Sequence, residues 1–230
     1  YGNDHSVYLI GSNVGETIIG SAYGDPVQGE GGDDILIGGL GADAIHGAAG
    51  RDTFVIRAAA ESNAAGYDNY YDFTTGEDRI DLTALNTTSI SVLRQTDGSS
   101  VVFGNSASGD FQFIAAGRSI NGGDFAYGNN HSVFMVGSAA GETLIGSNNA
   151  DPILGGGGDD IVIGGGGADS LEGGAGRDIF RYRATSESTL AVSDRIQDFV
   201  AGVDKIDLNG VRSGASDKYG IDRKSTRLNS

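Results

Sequence analysis

The sequence predicts an all-β protein that folds as a solenoid of short stacked strands, built as two tandem copies. Three observations support this prediction. A nine-residue pattern of glycines, one aspartate and one large apolar residue repeats in phase, as in "GEGGDDILIGGLGADAIHGAAGRDTFV". The segment that contains the pattern returns later in the chain. Of 230 residues, 40 are glycine and only 38% of the chain is hydrophobic, which argues against an ordinary thick core.

The internal duplication defines the predicted domains. Residues 1–62 and 127–188 align without a gap and share 38 identities in 62 positions. A repeat of this length, in phase over its whole extent, indicates duplication of a complete structural unit. We therefore predict one domain over 1–126 and a second over 127–221, with solenoids at about 11–57 and 137–183, each followed by a capping β region that is truncated in the second copy.

Each solenoid consists of five nonapeptides of the form G-G-x-G-x-D-x-U-x, where U is a large apolar residue; they start at Gly11 and Gly137. Six glycine-rich residues suit a tight turn and the last three suit a short strand. Two units then form one coil, and coils stack at roughly 4.7–4.9 Å. A flexible linker or a collagen helix would not keep aspartate and an apolar residue in this phase. The side chains predicted to fill the thin core of the first copy are Ile18, Val27, Leu36, Ile45 and Phe54.

Composition excludes several classes of partner and site. The chain has no cysteine, so neither disulfides nor a cysteine zinc site can stabilise it. A formal charge of −16 argues against nucleic acid or an anionic membrane surface as partner and favours cations. No apolar run reaches the roughly 18 residues of a membrane span. The chain begins with neither methionine nor a signal peptide, so we expect an internal piece of a longer protein.

The stacked turns create a need for a cation. Two-unit coils are expected to place Asp34 above Asp52 and Asp25 near Asp43, where like charges repel. Five apolar side chains per copy also give too small a core to order the glycine-rich turns alone. Carboxylates and turn carbonyls are hard oxygen ligands, which favour calcium over zinc or copper and over magnesium with its strict octahedral geometry.

These blocks resemble the RTX (repeats-in-toxin) calcium-binding repeats. The resemblance implies a right-handed parallel β-roll with Ca²⁺ between consecutive turns on the same side, about two to three ions per roll. The implied metal ligands are the carboxylates of Asp25, Asp33, Asp34, Asp43, Asp52, Asp151, Asp159, Asp160, Asp169 and Asp178 and the carbonyls of Gly32, Gly41, Gly50, Gly158, Gly167 and Gly176. Glu16 and Glu142 replace aspartate in the opening units, and Pro26 and Pro152 follow the next aspartates, so the first sites are expected to be weak or absent.

The segment after each roll changes to alternating patterns. "SISVLRQTDGSSVVFG" and "GDFQFIAAG" predict hairpin strands, with "DG" as a turn signal. The pattern "DF-x-x-G-x-D-x-IDL" resembles the region that caps the roll in serralysin-type proteases and in alginate epimerase R-modules. Glu61 with Asp68, and Glu187 with Asp194, are candidates for one further ion, although exposed acids near turns are usually only solvated.

No catalytic constellation is predicted. His5, His46 and His131 form no pair or triad, and neither an H-E-x-x-H zinc motif nor a G-x-S-x-G elbow occurs. The resemblance implies a calcium-folded accessory module of a secreted, extracellular bacterial protein exported by type I secretion. Two alternatives stay open: the C-terminal part of a secreted protease, lipase or polysaccharide epimerase, or one module of an extracellular adhesin. Partners would be calcium, a covalently linked catalytic domain or an extracellular polysaccharide.

The last segment, "DRKSTRLNS" at 222–230, turns abruptly basic and polar. It resembles the translated read-through of a sequencing adaptor, and we exclude it from reasoning about the fold.

Overall fold

Very short strands alternate between two opposed sheets along the chain. A computed structural model describes residues 5–126 and 131–212, so the predicted adaptor segment lies outside the described residues. Each nonapeptide ends in a strand of three residues after a glycine-rich turn, so the strands that the nonapeptides form are all short. Roll one, residues 9–55, contains β1 (Leu9–Ile10), β2 (Thr17–Ile19), β3 (Pro26–Gln28), β4 (Ile35–Ile37), β5 (Ala44–His46) and β6 (Thr53–Val55).

Strand register in roll one follows a coil of two units. Val27 pairs with Ile45 and Leu36 pairs with Phe54, all in parallel, so each strand lies beside the strand that follows two units later. These four side chains are at most 1% exposed and lie in the core. The parallel β-roll and its inward-facing apolar positions are thereby confirmed, with Ile18 only partly buried at the end of the roll.

A β-cap follows roll one over residues 68–126. Its strands are β7 (Asp68–Tyr70), β8 (Arg79–Asp81), β9 (Thr87–Arg94), β10 (Ser100–Ser106), β11 (Gly109–Ala115) and β12 (Phe125–Ala126), with 3-10 helices at Thr83–Leu85 and Gly122–Asp124. Strands β9, β10 and β11 form an antiparallel meander, and the predicted turn at Asp97 and Gly98 joins the first two. Alternation of buried and exposed residues along these strands places Val92, Val102 and Phe113 in the core.

Roll two, residues 133–181, repeats the architecture of roll one. Its elements and those that follow are β13 (Val133–Val136), β14 (Thr143–Ile145), β15 (Pro152–Leu154), β16 (Ile161–Ile163), β17 (Ser170–Glu172), β18 (Ile179–Arg181), β19 (Arg195–Ile196), β20 (Lys205–Asp207) and a 3-10 helix at Asn209–Arg212. No α-helix occurs in 5–126 or 131–212, and within these ranges no helix could cross a membrane.

One sheet runs through both copies. Its eleven strands have the order β1-β3-β5-β7-β11-β10-β9-β13-β15-β17-β19. The opposite face carries a five-stranded sheet, β12-β8-β6-β4-β2, and a four-stranded sheet, β14-β16-β18-β20. The link between the copies is the parallel pair of β9 and β13, in which Val133 lies beside Ile90. A continuous core therefore passes from roll one through the β-cap into roll two.

Candidate metal sites

Buried aspartates form two columns along each roll. In one column of roll one the Asp25 N–H donates to Asp43 Oδ1 at 2.7 Å, and the Asp43 N–H donates to Asp68 Oδ1 at 3.0 Å. In the other, the Asp34 N–H donates to Asp52 Oδ1 at 2.9 Å. Every coil is thus joined to the next by a carboxylate. The four columns are Asp25-Asp43-Asp68, Asp34-Asp52-Asp78, Asp151-Asp169-Asp194 and Asp160-Asp178-Asp204.

The second carboxylate oxygen distinguishes the members of a column. In the later nonapeptide turns, and at Asp194, this oxygen is buried and has no hydrogen-bond partner among the described residues. The atoms concerned are Oδ2 of Asp34, Asp43, Asp52, Asp160, Asp169, Asp178 and Asp194. At the ends of two columns, Asp78 Oδ2 and Asp204 Oδ2 accept the N–H groups of Thr74 and Val200. A buried, unpaired carboxylate oxygen is costly and demands a partner.

Carboxylates of the first turns are already satisfied by their own turn. The Ser21 N–H donates to Asp25 Oδ2 at 2.5 Å, and the equivalent Ser147 N–H donates to Asp151 Oδ2. Glu16 reaches back in the same way and accepts the Ser12 N–H at 2.6 Å. These early carboxylates therefore lack the free oxygen that the later ones present.

Burial dominates the electrostatics of the columns. Asp34, Asp52 and Asp160 are at most 1% exposed. Loss of hydration and, to a smaller extent, neighbouring carboxylates raise the pKa of Asp52 and of Asp160 to about 6. Burial likewise raises the pKa of Asp169 to about 7.

Asp43 and Asp68 form a closely coupled pair within the same environment. Burial is the main cause that raises the pKa of both carboxyls above the ordinary range. The charge of Asp43 raises the pKa of Asp68 further, and the charge of Asp25 does the same for Asp43. A divalent cation would remove both penalties, because it replaces hydration and offsets the repulsion.

Predicted turn carbonyl donors lie in the turns between these columns. Gly32 has φ of +99° and Gly50 has φ of +143°, in the region that favours glycine, and a Cβ on Gly50 would lie 2.0 Å from the Gly32 carbonyl oxygen. Successive turns are therefore in direct backbone contact. The other four predicted carbonyl donors share the positive φ: Gly41, Gly158, Gly167 and Gly176.

Two further predicted ligands lie on the outside of the roll. Asp33 and Asp159 are exposed, and each carboxylate accepts a backbone N–H from the next turn on its side, that of Arg51 and Arg177, at 2.9 Å. These two side chains bridge adjacent turns and do not extend the columns.

Sequence reasoning missed the last member of two of the four columns. Asp78 Oδ1 accepts the Asp52 N–H, and Asp204 Oδ1 accepts the Asp178 N–H. The spacing from one aspartate to the next rises from 18 residues to 26 here, so the nonapeptide phase could not find them. Their equivalence under the internal duplication was the available signal.

The hypothesis that Glu61 shares an ion with Asp68 has a competing arrangement in the structure. Glu61 accepts the Arg57 N–H at 2.7 Å and pairs with the Arg57 guanidinium at 2.9 Å. Asp68 instead joins the column below Asp43. Glu187 forms the same pair with Arg183.

The donor set fits a cation that accepts oxygen ligands, some of them from the backbone. Across 5–126 and 131–212, no three His, Cys, Asp or Glu side chains converge as a site made from side chains alone requires. Two stacked carboxylates would therefore need turn carbonyls to complete a shell. Such mixed carboxylate and carbonyl shells are typical of calcium sites.

Similarity to known proteins comes from solved structures and from one family model. No curated protein matches the chain significantly. Among solved structures, the AlgE6R2 subunit of the Azotobacter vinelandii mannuronan C5-epimerase is similar, at 27% identity over 55% of this chain and 92% of that one, with a TM-score of 0.47. The AlgE6R3 subunit of that epimerase matches at 24% identity over 50% of this chain and 80% of that chain, with a TM-score of 0.39. The model of the family described as peptidase M10 serralysin C terminal matches residues 16–100 and 127–227, and the chain belongs to that family.

Proposed function

We propose that this chain is a calcium-binding module that folds when calcium binds. The observation that supports this most directly is the set of seven buried carboxylate oxygens without partners, arranged in columns between glycine turns. Oxygen ligands of this kind suit Ca²⁺, which accepts six to eight of them in flexible geometry. Membership of the serralysin C-terminal family agrees with the proposal.

The residues that would hold the ions are those with a free oxygen. In roll one these are Asp34, Asp43 and Asp52, and in roll two Asp160, Asp169 and Asp178, joined by Asp194. Carbonyls of the positive-φ turn glycines would complete the shells. Asp25 and Asp151 have both oxygens engaged, which supports weak sites at the start of each roll and two to three ions per roll.

Folding and ion binding are coupled in this proposal. Without calcium, each coil brings another buried carboxylate close to one already present, and every addition raises the repulsion. Bound calcium supplies positive charge that offsets this cost. At the low calcium of the cytosol the acidic chain stays unfolded, and at the roughly 10⁻⁴–10⁻³ M typical of extracellular modules it folds.

Circular dichroism and size-exclusion chromatography of the full chain test this proposal. In EDTA we expect an expanded chain with little β structure, and in millimolar calcium a compact β-rich protein. Magnesium at the same concentration is the matched control and should be far less effective. A chain that is equally compact and equally β-rich in EDTA would contradict the proposal.

The module would serve as an accessory part of a secreted bacterial protein. The family is described as the C terminus of serralysin peptidases, which favours an enzyme as the parent protein. Type I export is the route that the resemblance to RTX repeats implies. Catalysis would then reside in another domain of the parent chain, acting on a protein or an extracellular polysaccharide. Sequencing the gene upstream of Tyr1 tests this: a zinc-protease motif or an epimerase domain supports it, and an array of further modules without one contradicts it.

A further inference from the structure

The starting ends of the two rolls have nearly the same sequence but different surroundings. In roll two, Met135 and Leu144 at the end of the core are fully buried. Their equivalents in roll one, Leu9 and Ile18, are only partly buried. The neighbouring Ile19 is 52% exposed. The end of roll one therefore presents apolar core residues to solvent that roll two keeps covered.

The β-cap of the first copy contacts the starting end of roll two through backbone atoms of both. Strand β9 adds to the edge of β13 in parallel register, and Phe134 lies beside Ser91. The 3-10 helix at Gly122–Asp124 lies against the turn that follows β14, where a Cβ on Gly122 would come within 2.6 Å of the Ser147 nitrogen. The contact is close along both faces of the roll.

Two buried polar side chains complete this interface. Asn121 Oδ1 accepts the Ile145 N–H at 3.2 Å and also accepts a hydrogen bond from Arg94 at 3.0 Å. Arg94 donates in turn to the Thr143 carbonyl at 3.4 Å. Burial lowers the pKa of Arg94, and the nearby carboxylates of Glu142 and Asp124 oppose this shift. A cation is thus held against the acidic opening unit of roll two.

Roll one carries the same set of acceptors, donors and charge at its own starting end. Thr17, Ile19 and Glu16 occupy the positions of Thr143, Ile145 and Glu142. Strands β1 and β2 are the outermost strands of their sheets in the described part of the chain. Open strand edges are templates for pairing with a further strand.

We infer that the starting end of roll one is a docking surface for the β-cap of another copy of this module. The contact would be head-to-tail, with Arg94 and Asn121 of the incoming β-cap against β2 and the preceding Glu16 of roll one. Such a contact is heterologous and does not close on itself, so copies would add in a line along the solenoid axis. This inference does not depend on the identity of the bound cation.

A three-copy chain, in which residues 1–126 precede the full chain, tests the inference. The protein has no cysteine, so a single cysteine reports local accessibility. We place it at Ile19 of the middle copy and measure its rate of reaction with a thiol reagent in millimolar calcium. We expect about tenfold slower labelling than in the two-copy Ile19→Cys protein. The Ile145→Cys variant of the two-copy chain is the reference for a covered site.

Two controls separate docking from simple crowding. In the first, an unrelated folded domain replaces the leading copy, and labelling should stay fast. In the second, the leading copy carries Arg94→Ala, and labelling should recover while its calcium content, measured separately, is retained. A second probe, Leu9→Cys, should behave like Ile19→Cys. Equally fast labelling in the two- and three-copy chains, with the leading copy folded, would overturn the inference.

Discussion

Early and late turns of a roll differ in whether both oxygens of their carboxylate have a hydrogen-bond partner. In the early turns the second residue is serine, Ser12 or Ser21, and its N–H donates to the carboxylate of its own unit. In the late turns the second residue takes a positive φ instead, as at Glu30 with φ of 74°, and Asp34 Oδ2 is left buried without a partner. The comparison teaches that an aspartate in phase is not sufficient for a metal site. The turn must also leave one of its oxygens free.

The pH dependence of the calcium-free chain should show the largest effect. Asp52 and Asp160 have a folded-state pKa of about 6 and Asp169 of about 7, against about 3.9 for an unfolded aspartate. The folded state therefore binds more protons than the unfolded state between about pH 4 and pH 7. Stability in EDTA is present below about pH 4 and is lost as pH rises through 6 to 7.

Circular dichroism and thermal melts in EDTA measure this effect: the pH 5 sample should contain β structure that melts on heating, and the pH 8 sample should contain little. In excess calcium the trend should reverse, because protons compete with the ion for the same carboxylates. More β structure in EDTA at pH 8 than at pH 5 would contradict the proposed burial of these carboxylates.

Asparagine substitutions in late turns should favour folding in EDTA, whereas an asparagine substitution in an early turn should not. Asp34→Asn with Asp52→Asn removes two buried charges and keeps an acceptor for the N–H of the previous coil. We expect the chain in EDTA to gain β structure and the calcium form to lose about 4 kcal/mol per ion at calcium a thousandfold above Kd. Circular dichroism in EDTA and denaturant titration in calcium, with ion counting by calorimetry, measure this.

Asp25→Asn is the matched control from an early turn. Both of its oxygens accept backbone N–H groups, from Val7 and from Ser21, so either orientation of the amide places an NH₂ against a donor. It should destabilise the calcium form by about 1–3 kcal/mol, bring no gain of β structure in EDTA, and leave the ion count of the later turns unchanged. Equal behaviour of the two variants would remove the distinction between early and late turns.

Backbone strain in the late turns of roll one predicts a smaller effect. Glu30 and Ala48 have φ of 74° and 67°, whereas the equivalent positions in roll two are Gly156 and Gly174. Glu30→Gly and Ala48→Gly should each stabilise the calcium form by about 1 kcal/mol, because glycine adopts this conformation without a Cβ penalty. The reverse change, Gly156→Ala, should destabilise it. Melting temperatures in calcium decide the outcome, and a loss of stability in Glu30→Gly would contradict the expectation.

The smallest effect is expected at the exposed serine of the first turn. Ser12 Oγ donates to Glu16 Oε1 at 2.9 Å on the surface. Ser12→Ala removes this bond, keeps the N–H that also satisfies Glu16, and should cost about 0.5 kcal/mol without changing the ion count. Calorimetry that showed an additional or a lost ion would contradict a purely structural role for this turn.

Much of the roll follows from the nonapeptide alone. Its phase predicts which residues lie inside and which aspartates stack, since one coil equals two units and Val27 must then lie beside Ile45. It does not predict Asp78 or Asp204, because inserted loops carry these aspartates back into the column at an irregular spacing. The β9–β13 pair was also beyond sequence reasoning: its register depends on contacts between segments that share no repeat.

The carboxylate columns also give the molecule a direction of assembly. Each of these aspartates accepts a hydrogen bond from the peptide N–H 18 residues earlier. A coil therefore gains this hydrogen bond only after the coil that follows it has folded. Tension applied to the two ends should then release the rolls one coil at a time and not in a single rupture. The coils would unfold one after another under force, and bound calcium would set the force that each coil withstands.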